Sequence, residues 1–383
     1  MRFEFATATR IVFGSGMVRE AGRLAKGFGR CALLVTGRET QRAEPVAAAL
    51  RAEGIEAILY PVPAEPSVEV VEAGRQQARQ GDCEMVVSVG GGSALDGGKA
   101  IAAMMTNPGE LLDYLEVIGR GRALEQPAAP FIAIPTTAGT GSEVTRNAVL
   151  ASNQHRVKVS LRSPLMLARV ALIDPDLTHG LPPAVTASTG LDALTQLIEP
   201  YVSSRANPMV DGLCVEGLGR AVRSLRPAFQ TGDRGAREDM CIASLFGGLA
   251  LANAGLGAVH GFAGPIGGMF PAPHGAVCAA LVPHVMAVNL RALRQRQPAG
   301  ESLRRYATIA RLLTGDAAAT AEAGVEWVRR LVGDLRIPGL RAYGVAREHT
   351  AELVDKAAQA SSMKANPIAL TREEMAEALE RAL

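Results

Sequence analysis

Short apolar runs alternate with amphipathic stretches through the first half of the chain. Residues 31–36 (CALLVT), 55–60, 85–89 (MVVSV) and 131–134 (FIAI) predict strands, and residues 40–53 and 67–80 predict helices. The N-terminal segment MRFEFATATRIVFG alternates as a further strand does. Strands interleaved with helices predict a parallel sheet wrapped by helices, with ligand loops at the strand ends. Beyond the proline-rich stretch at residues 174–183 (DPDLTHGLPP) the pattern changes to long Ala-, Leu- and Gly-rich runs without alternation. That half predicts an all-helical domain, so the expected domains are residues 1–180 (α/β) and 181–383 (helical).

Residues 241–290 contain no Asp, Glu, Lys or Arg. On count alone residues 241–259 could span a bilayer. Four glycines, Asn253 and Ser244 lie within them, His260 follows, and no sibling span exists, so a buried central helix is the better expectation.

Composition adds mostly exclusions. A chain of 383 residues exceeds one ordinary core, which agrees with two domains. With 40 basic against 38 acidic side chains and no basic cluster, a nucleic-acid partner is not expected. The N-terminus lacks the features of a secretory signal. Cys31, Cys83, Cys214, Cys241 and Cys278 are scattered without CxxC spacing, which predicts reduced thiols in a cytoplasmic protein and neither disulfides nor a cysteine zinc site. No internal repeat stands out.

Three stretches carry candidate chemistry. Residues 90–99, GGGSALDGGK, follow a strand and open a helix predicted to run to about residue 105. Glycines there let a phosphate approach the free N–H groups of a helix start, although the spacing is neither a P-loop nor GxGxxG. Residues 135–145, PTTAGTGSEVT, form a second loop rich in hydroxyl and backbone donors. In the helical half, Asp192 and Gln196 lie four apart on one helical face, while His260 and His274 sit in the uncharged stretch. A straight helix would hold the two histidines about 21 Å apart. Gly264, Pro265, Gly267, Gly268, Pro271 and Pro273 between them predict a loop that folds His274 back. Two imidazoles with a carboxylate suggest a divalent metal site; hydrogen-bonded core histidines are the alternative. His155, His179, His284 and His349 share no evident cluster.

Taken in order, GGGSALDGGK, PTTAGTGSEVT, GLDALTQLIEPY and PHGAVCAALVPHVMAVN resemble the iron-containing (group III) alcohol dehydrogenase family, over essentially the whole chain. The resemblance implies a Rossmann-like N-terminal domain, a helical C-terminal domain of the dehydroquinate synthase-like fold, and a nicotinamide cofactor in the cleft between. It further implies hydride exchange between a small alcohol and its aldehyde or ketone, assisted by a divalent metal, iron or zinc, in a homo-oligomer. Gly91, Gly92 and Ser93 would hold the pyrophosphate, with Asp96 and Lys99 in the same signature. Thr136, Thr137 and Ser142 would line the dinucleotide site and Lys158 would lie near the nicotinamide ribose. Asp192, Gln196, His260 and His274 take the metal-ligand positions, with Lys158, His260 and His274 at the catalytic centre.

Two departures stand out: Gln196 replaces a usual His ligand, and Gly264 replaces a His credited with relaying a proton. A third concerns the cofactor. Gly37 and Arg38 follow the second strand where members preferring NAD often carry an acid, so NADP is favoured over NAD. A maleylacetate-reductase-like oxo-acid reductase or a dehydroquinate-synthase-type cyclase would need cationic residues near the metal, and residues 241–290 offer none. A non-enzymatic scaffold decayed at Gln196 and Gly264 is opposed by the intact glycine loop.

Overall fold

A computed structural model describes residues 2–152, 154–155 and 157–383. The chain divides into two compact units, one made of Ala6–Thr137 with Gly141–His179, the other of Gly180–Leu383 with Ala138–Thr140 and the N-terminal piece ending at Phe5.

The first unit holds strands β1 (Arg10–Phe13), β2 (Cys31–Thr36), β3 (Glu56–Pro61), β4 (Met85–Gly90), β5 (Phe131–Pro135), β6 (Asn147–Ser152), β7 (Val157–Arg162) and β8 (Val170–Ile173). Its helices are α1 (Ala21–Ala25), α2 (Glu44–Ala52), α3 (Val68–Gln80), α4 (Gly92–Thr106) and α5 (Leu111–Tyr114). Six strands form a parallel sheet in the order β1-β8-β5-β4-β2-β3, and β6 pairs antiparallel with β7 in a separate hairpin. The central strands β4 and β5 are buried throughout, which is why they read as unbroken apolar runs rather than as alternation. Chain order moves outward from β2 to β3, then returns across β2 to β4 and runs the other way, so the direction reverses between β2 and β4. Loops at the carboxyl ends of those two strands therefore flank the crevice where such sheets bind ligands.

The N-terminal alternation yields a shorter strand than its pattern predicts. Only Arg10–Phe13 pairs, because the partner strand Val170–Ile173 is itself four residues long, and Phe5 packs instead into the core of the other unit.

The second unit contains no strand among the described residues. It consists of α6 (Pro183–Val202), α7 (Pro208–Gln230), α8 (Arg234–Ala254), α9 (Ala258–Met269), α10 (His274–Arg296), α11 (Glu301–Thr314), α12 (Ala321–Asp334), α13 (Thr350–Gln359) and α14 (Arg372–Arg381). The uncharged stretch spreads over α8, α9 and α10. The first two meet at a 100° bend at Gly255, whose φ of 73° suits a residue without Cβ. By length and apolarity α10 could cross a membrane, but 83% of its most apolar window is buried within the protein.

The chain break that returns His274 towards His260 lies later than the glycine and proline pattern predicts. Helix α9 runs unbroken through Gly264, Pro265, Gly267 and Gly268 and ends at Met269, before Pro271 and Pro273. Full burial of Phe262, Ala263 and Ile266 offsets the intrinsic penalty of those residues in a helix.

Close helix approach depends on Gly275. A Cβ there would lie 2.3 Å from the backbone oxygen of Ser188 on α6. Gly275→Ala therefore destabilises the protein by about 1–3 kcal/mol in urea unfolding, as overpacking does. Gly264→Ala, whose Cβ would meet nothing within 4 Å, shows no such loss.

Candidate metal and cofactor sites

Helix α6 presents Asp192, Gln196 and Glu199 at spacings of four and three residues, hence on one face. Helix α9 brings His260 opposite them, and the first turn of α10 brings His274 with Cys278 one turn on. One donor atom each from Asp192, His260, His274 and Cys278 all lie within 4.8 Å of one another. Asp192 Oδ1 is 3.3 Å from His260 Nε2 and 3.8 Å from His274 Nε2, and Cys278 Sγ is 3.7 Å from both imidazole Nε2 atoms.

Behind this group, His260 Nδ1 donates to Glu199 Oε2 at 2.6 Å, and Glu199 Oε1 accepts from Val259 N at 2.8 Å. That carboxylate fixes the ring so that Nε2 faces Asp192, the arrangement that orients imidazole ligands of metals. The start of α9 is held from another side by Asn366, whose Oδ1 accepts from Ala258 N at 3.1 Å and which pairs with Asn289. Sequence reasoning missed Glu199 and Cys278. The available signals were the seven-residue spacing of Glu199 from Asp192 and the four-residue spacing of Cys278 from His274.

The group lies in the interior, with His274 alone partly open, its side chain 34% exposed. Burial works against charge on both imidazoles, but the surrounding acids win. Cys278, Glu199 and Asp192 hold His260 well above its ordinary value, and Cys278 and Asp192 bring His274 up to about 9. Burial likewise opposes charge on Asp192, yet His274 and His260 keep its carboxyl below the usual range. Asp192 Oδ1 makes no hydrogen bond and has the two imidazoles only as ion-pair neighbours, and Gln196 Oε1 is buried without a hydrogen-bond partner among the described residues. An unpartnered buried oxygen such as that of Gln196 costs about 1–3 kcal/mol. These two oxygens one turn apart, beside two imidazoles and a thiol, suit a divalent cation.

In the sheet unit, Gly91 starts α4 without any side-chain cap, so the first N–H groups of the helix point outward unclaimed by a cap. The loops after β2, β4 and β5 adjoin. A Cβ on Gly90 would lie 3.3 Å from Gly37 N, one on Gly91 would lie 3.5 Å from Thr137 Oγ1, and Thr136 N donates to Gly90 O at 2.9 Å. Gly37, Gly91, Gly92, Ser93, Thr136 and Thr137 thus gather at one crevice, with Arg38 exposed beside it.

Asp96 and Ser142 are placed differently. Asp96 accepts from Ser142 Oγ and from Val149 N, while the fully buried Lys99 donates to Ser142 O, Ser142 Oγ, Thr145 Oγ1 and Asn147 O. Asp96 therefore braces the second loop against α4. Burial pushes Lys99 down, although Asp96 and Glu143 pull the other way. Lys158 lies on β7, its Nζ 2.8 Å from Glu65 Oε1.

Comparison with known proteins covers both units. Residues 8–175 match the family model for iron-containing alcohol dehydrogenase, and residues 186–383 match that for the Fe-containing alcohol dehydrogenase family, C-terminal. The 1,3-propanediol dehydrogenase of Citrobacter freundii is 34% identical over 394 residues, covering 99% of this chain and 98% of that protein. The NAD-dependent methanol dehydrogenase of Bacillus methanolicus is 34% identical, covering 97% of each. A crystal structure of 1,3-propanediol oxidoreductase superposes with a TM-score of 0.93 at 34% identity over the whole of both chains. Fold and relatives together define a nicotinamide-dependent oxidoreductase that interconverts an alcohol and its carbonyl compound. The chain belongs to the iron-containing alcohol dehydrogenase family.

The raised His274 has a consequence for the metal-free protein. Its folded value of about 9 exceeds the unfolded 6.5, so its stabilisation is complete below pH 6.5 and is lost as pH rises through 9. Unfolding free energy of metal-free protein therefore falls across that window, and His274→Asn flattens the fall.

Proposed function

We propose that the chain acts on small, uncharged alcohols and their aldehydes or ketones, with a divalent cation held by Asp192, His260 and His274 and with NADP preferred over NAD. One observation carries this reading: the Asp192–His260–His274 group, braced by Glu199 behind His260, beside a stretch from residue 241 to 290 with no Asp, Glu, Lys or Arg. The bound cation supplies Lewis acidity towards the substrate oxygen, and the nicotinamide takes up or returns the hydride.

The chain's own groups prepare that chemistry. Glu199 fixes the tautomer and direction of His260, and Asp192 supplies negative charge. Gln196 adds a neutral amide oxygen, a weaker donor than the imidazole usual at its position. The partial exposure of His274 supports entry of substrate from its side. Residues 241–290 supply no cation to pair with a carboxylate, which supports an uncharged substrate.

Gly264 holds no proton, and the space beside it is open to beyond 4 Å from where its Cβ would be. Water in that space would take over the relay. In the sheet unit, Lys158 would lie beside the ribose of a bound cofactor.

On the cofactor side, Gly91, Gly92 and Ser93 offer the uncapped start of α4 to the pyrophosphate. Thr136 and Thr137 flank it, Asp96 and Ser142 stiffen the neighbouring loop, and Gly37 leaves room for Arg38 to meet a 2′-phosphate. All five cysteines are free thiols, which supports a cytoplasmic setting, and the resemblance supports a homo-oligomer.

Protein purified without added metal is expected to carry about one zinc or iron per chain and to lose turnover of short-chain aldehydes on chelation. Chelator-insensitive turnover overturns the metal-assisted reading. Arg38→Ala lowers kcat/KM for NADPH by about tenfold or more and leaves that for NADH unchanged, as loss of a charge-assisted hydrogen bond does. Equal losses with both cofactors count against NADP. Gly264→His raises alcohol oxidation, by up to about a hundredfold for a restored acid–base group.

A further inference from the structure

We propose that Cys278 is the fourth protein ligand of the cation, in place of Gln196, and that this donor set selects zinc over iron. The inference rests on the metal-binding reading above and adds to it the identity of a ligand and of the metal.

Geometry carries it. A tetrahedral ion about 2.0–2.1 Å from nitrogen or oxygen and about 2.3 Å from sulfur sets neighbouring donor atoms about 3.3–3.6 Å apart. The four measured edges here are 3.3 and 3.8 Å from Asp192 Oδ1 to the two imidazoles, and 3.7 Å from Cys278 Sγ to each of them. One edge falls in that range and three lie 0.1–0.2 Å beyond it, with all four donors within 4.8 Å of one another, so a small contraction brings them to the corners of such a site. His274 and Cys278 are four residues apart on α10, the spacing by which one helix offers two donors to one ion. Cys278 is fully buried, and Glu199 locks His260 so that its Nε2 faces the same point.

Gln196 is the poorer candidate. Its amide oxygen is neutral and hard, and its side chain is confined by α8, where a Cβ on Gly247 would lie 3.1 Å from Gln196 Cβ. It remains within one turn of Asp192 as a further, weaker donor.

Binding forms bonds from the ion to Sγ and to Nε2 of His260 and His274, and releases to solvent the thiol proton and the protons that the two imidazoles carry on Nε2 in the metal-free protein, with no change of oxidation state. Thiolate is a soft donor that favours borderline-soft zinc, whereas oxygen donors suit harder ions.

Full-length protein stripped of metal and reloaded with cobalt(II) reads the ligand directly. We expect one cobalt per chain with an intense sulfur-to-cobalt charge-transfer band, lost in Cys278→Ser and kept in Gln196→Ala. In the zinc-loaded wild type, X-ray absorption then gives one sulfur at about 2.3 Å, a readout that needs no variant to fold. Zinc affinity falls at least a hundredfold in Cys278→Ser, beyond the roughly 10–100-fold typical of second-shell partners, and less than tenfold in Gln196→Ala. Stoichiometric cobalt or zinc without sulfur overturns the inference and leaves the functional reading standing. A sulfur-ligated metal in a protein without NAD(P)-linked alcohol turnover overturns the functional reading alone, and absence of any bound metal overturns both.

Discussion

The helical unit is organised by one electrostatic constraint: charge has been placed where almost nothing else is charged. Asp192 and Glu199 stand on α6 and His260 and His274 on α9 and α10, and the fifty residues from 241 to 290 bring no Asp, Glu, Lys or Arg to balance them. An isolated carboxylate in such surroundings would cost several kcal/mol. The imidazoles meet part of that demand, since the acids around them favour their protonated forms. A dication meets it more completely, because it attracts every donor at once.

Holding four donors at those distances requires backbones to approach more closely than side chains ordinarily permit. Glycine supplies the approach on three sides. Gly247 lets α8 pass Gln196, and Gly275 lets α10 press against Ser188. Gly257 sits where a Cβ would fall 2.8 Å from Glu199 Oε1 and 2.9 Å from Asn366 Oδ1, the two oxygens that hold the start of α9. Pocket chemistry and helix packing are therefore one design problem in this unit.

Much of this was legible in the chain itself. The central strands and α4 follow from unbroken apolar runs and a glycine start, and the all-helical second half follows from the loss of alternation after residue 183. The metal candidates His260 and His274 stood out because they lie in the uncharged stretch 241–290, and Asp192 and Gln196 by their four-residue spacing on one helical face. What escaped was set by tertiary context. Glu199 reads as an ordinary helical acid until α9 is seen to lie across it. Cys278 was one of five scattered thiols, and its four-residue spacing from His274 acquires meaning only once α9 brings His260 beside them. Strand β8, four residues long, carries a pattern too short to separate from loop, the hairpin β6–β7 forms a separate two-stranded sheet outside the strand–helix alternation that marks the rest of the unit, and the break before His274 moved because packing carries α9 through Pro265.

Lys99 offers a different lesson. Its single ammonium is shared by oxygens from Ser142, Thr145 and Asn147 while its own helix begins at the glycine loop. Segments more than forty residues apart in sequence thus converge on one nitrogen atom. They cannot fray one at a time, since releasing any one of them exposes a buried charge that the others must then satisfy. The glycine helix and the hydroxyl-rich loop consequently form one cooperative unit in local opening, with amide hydrogens that exchange together rather than as an ordinary pair of surface loops.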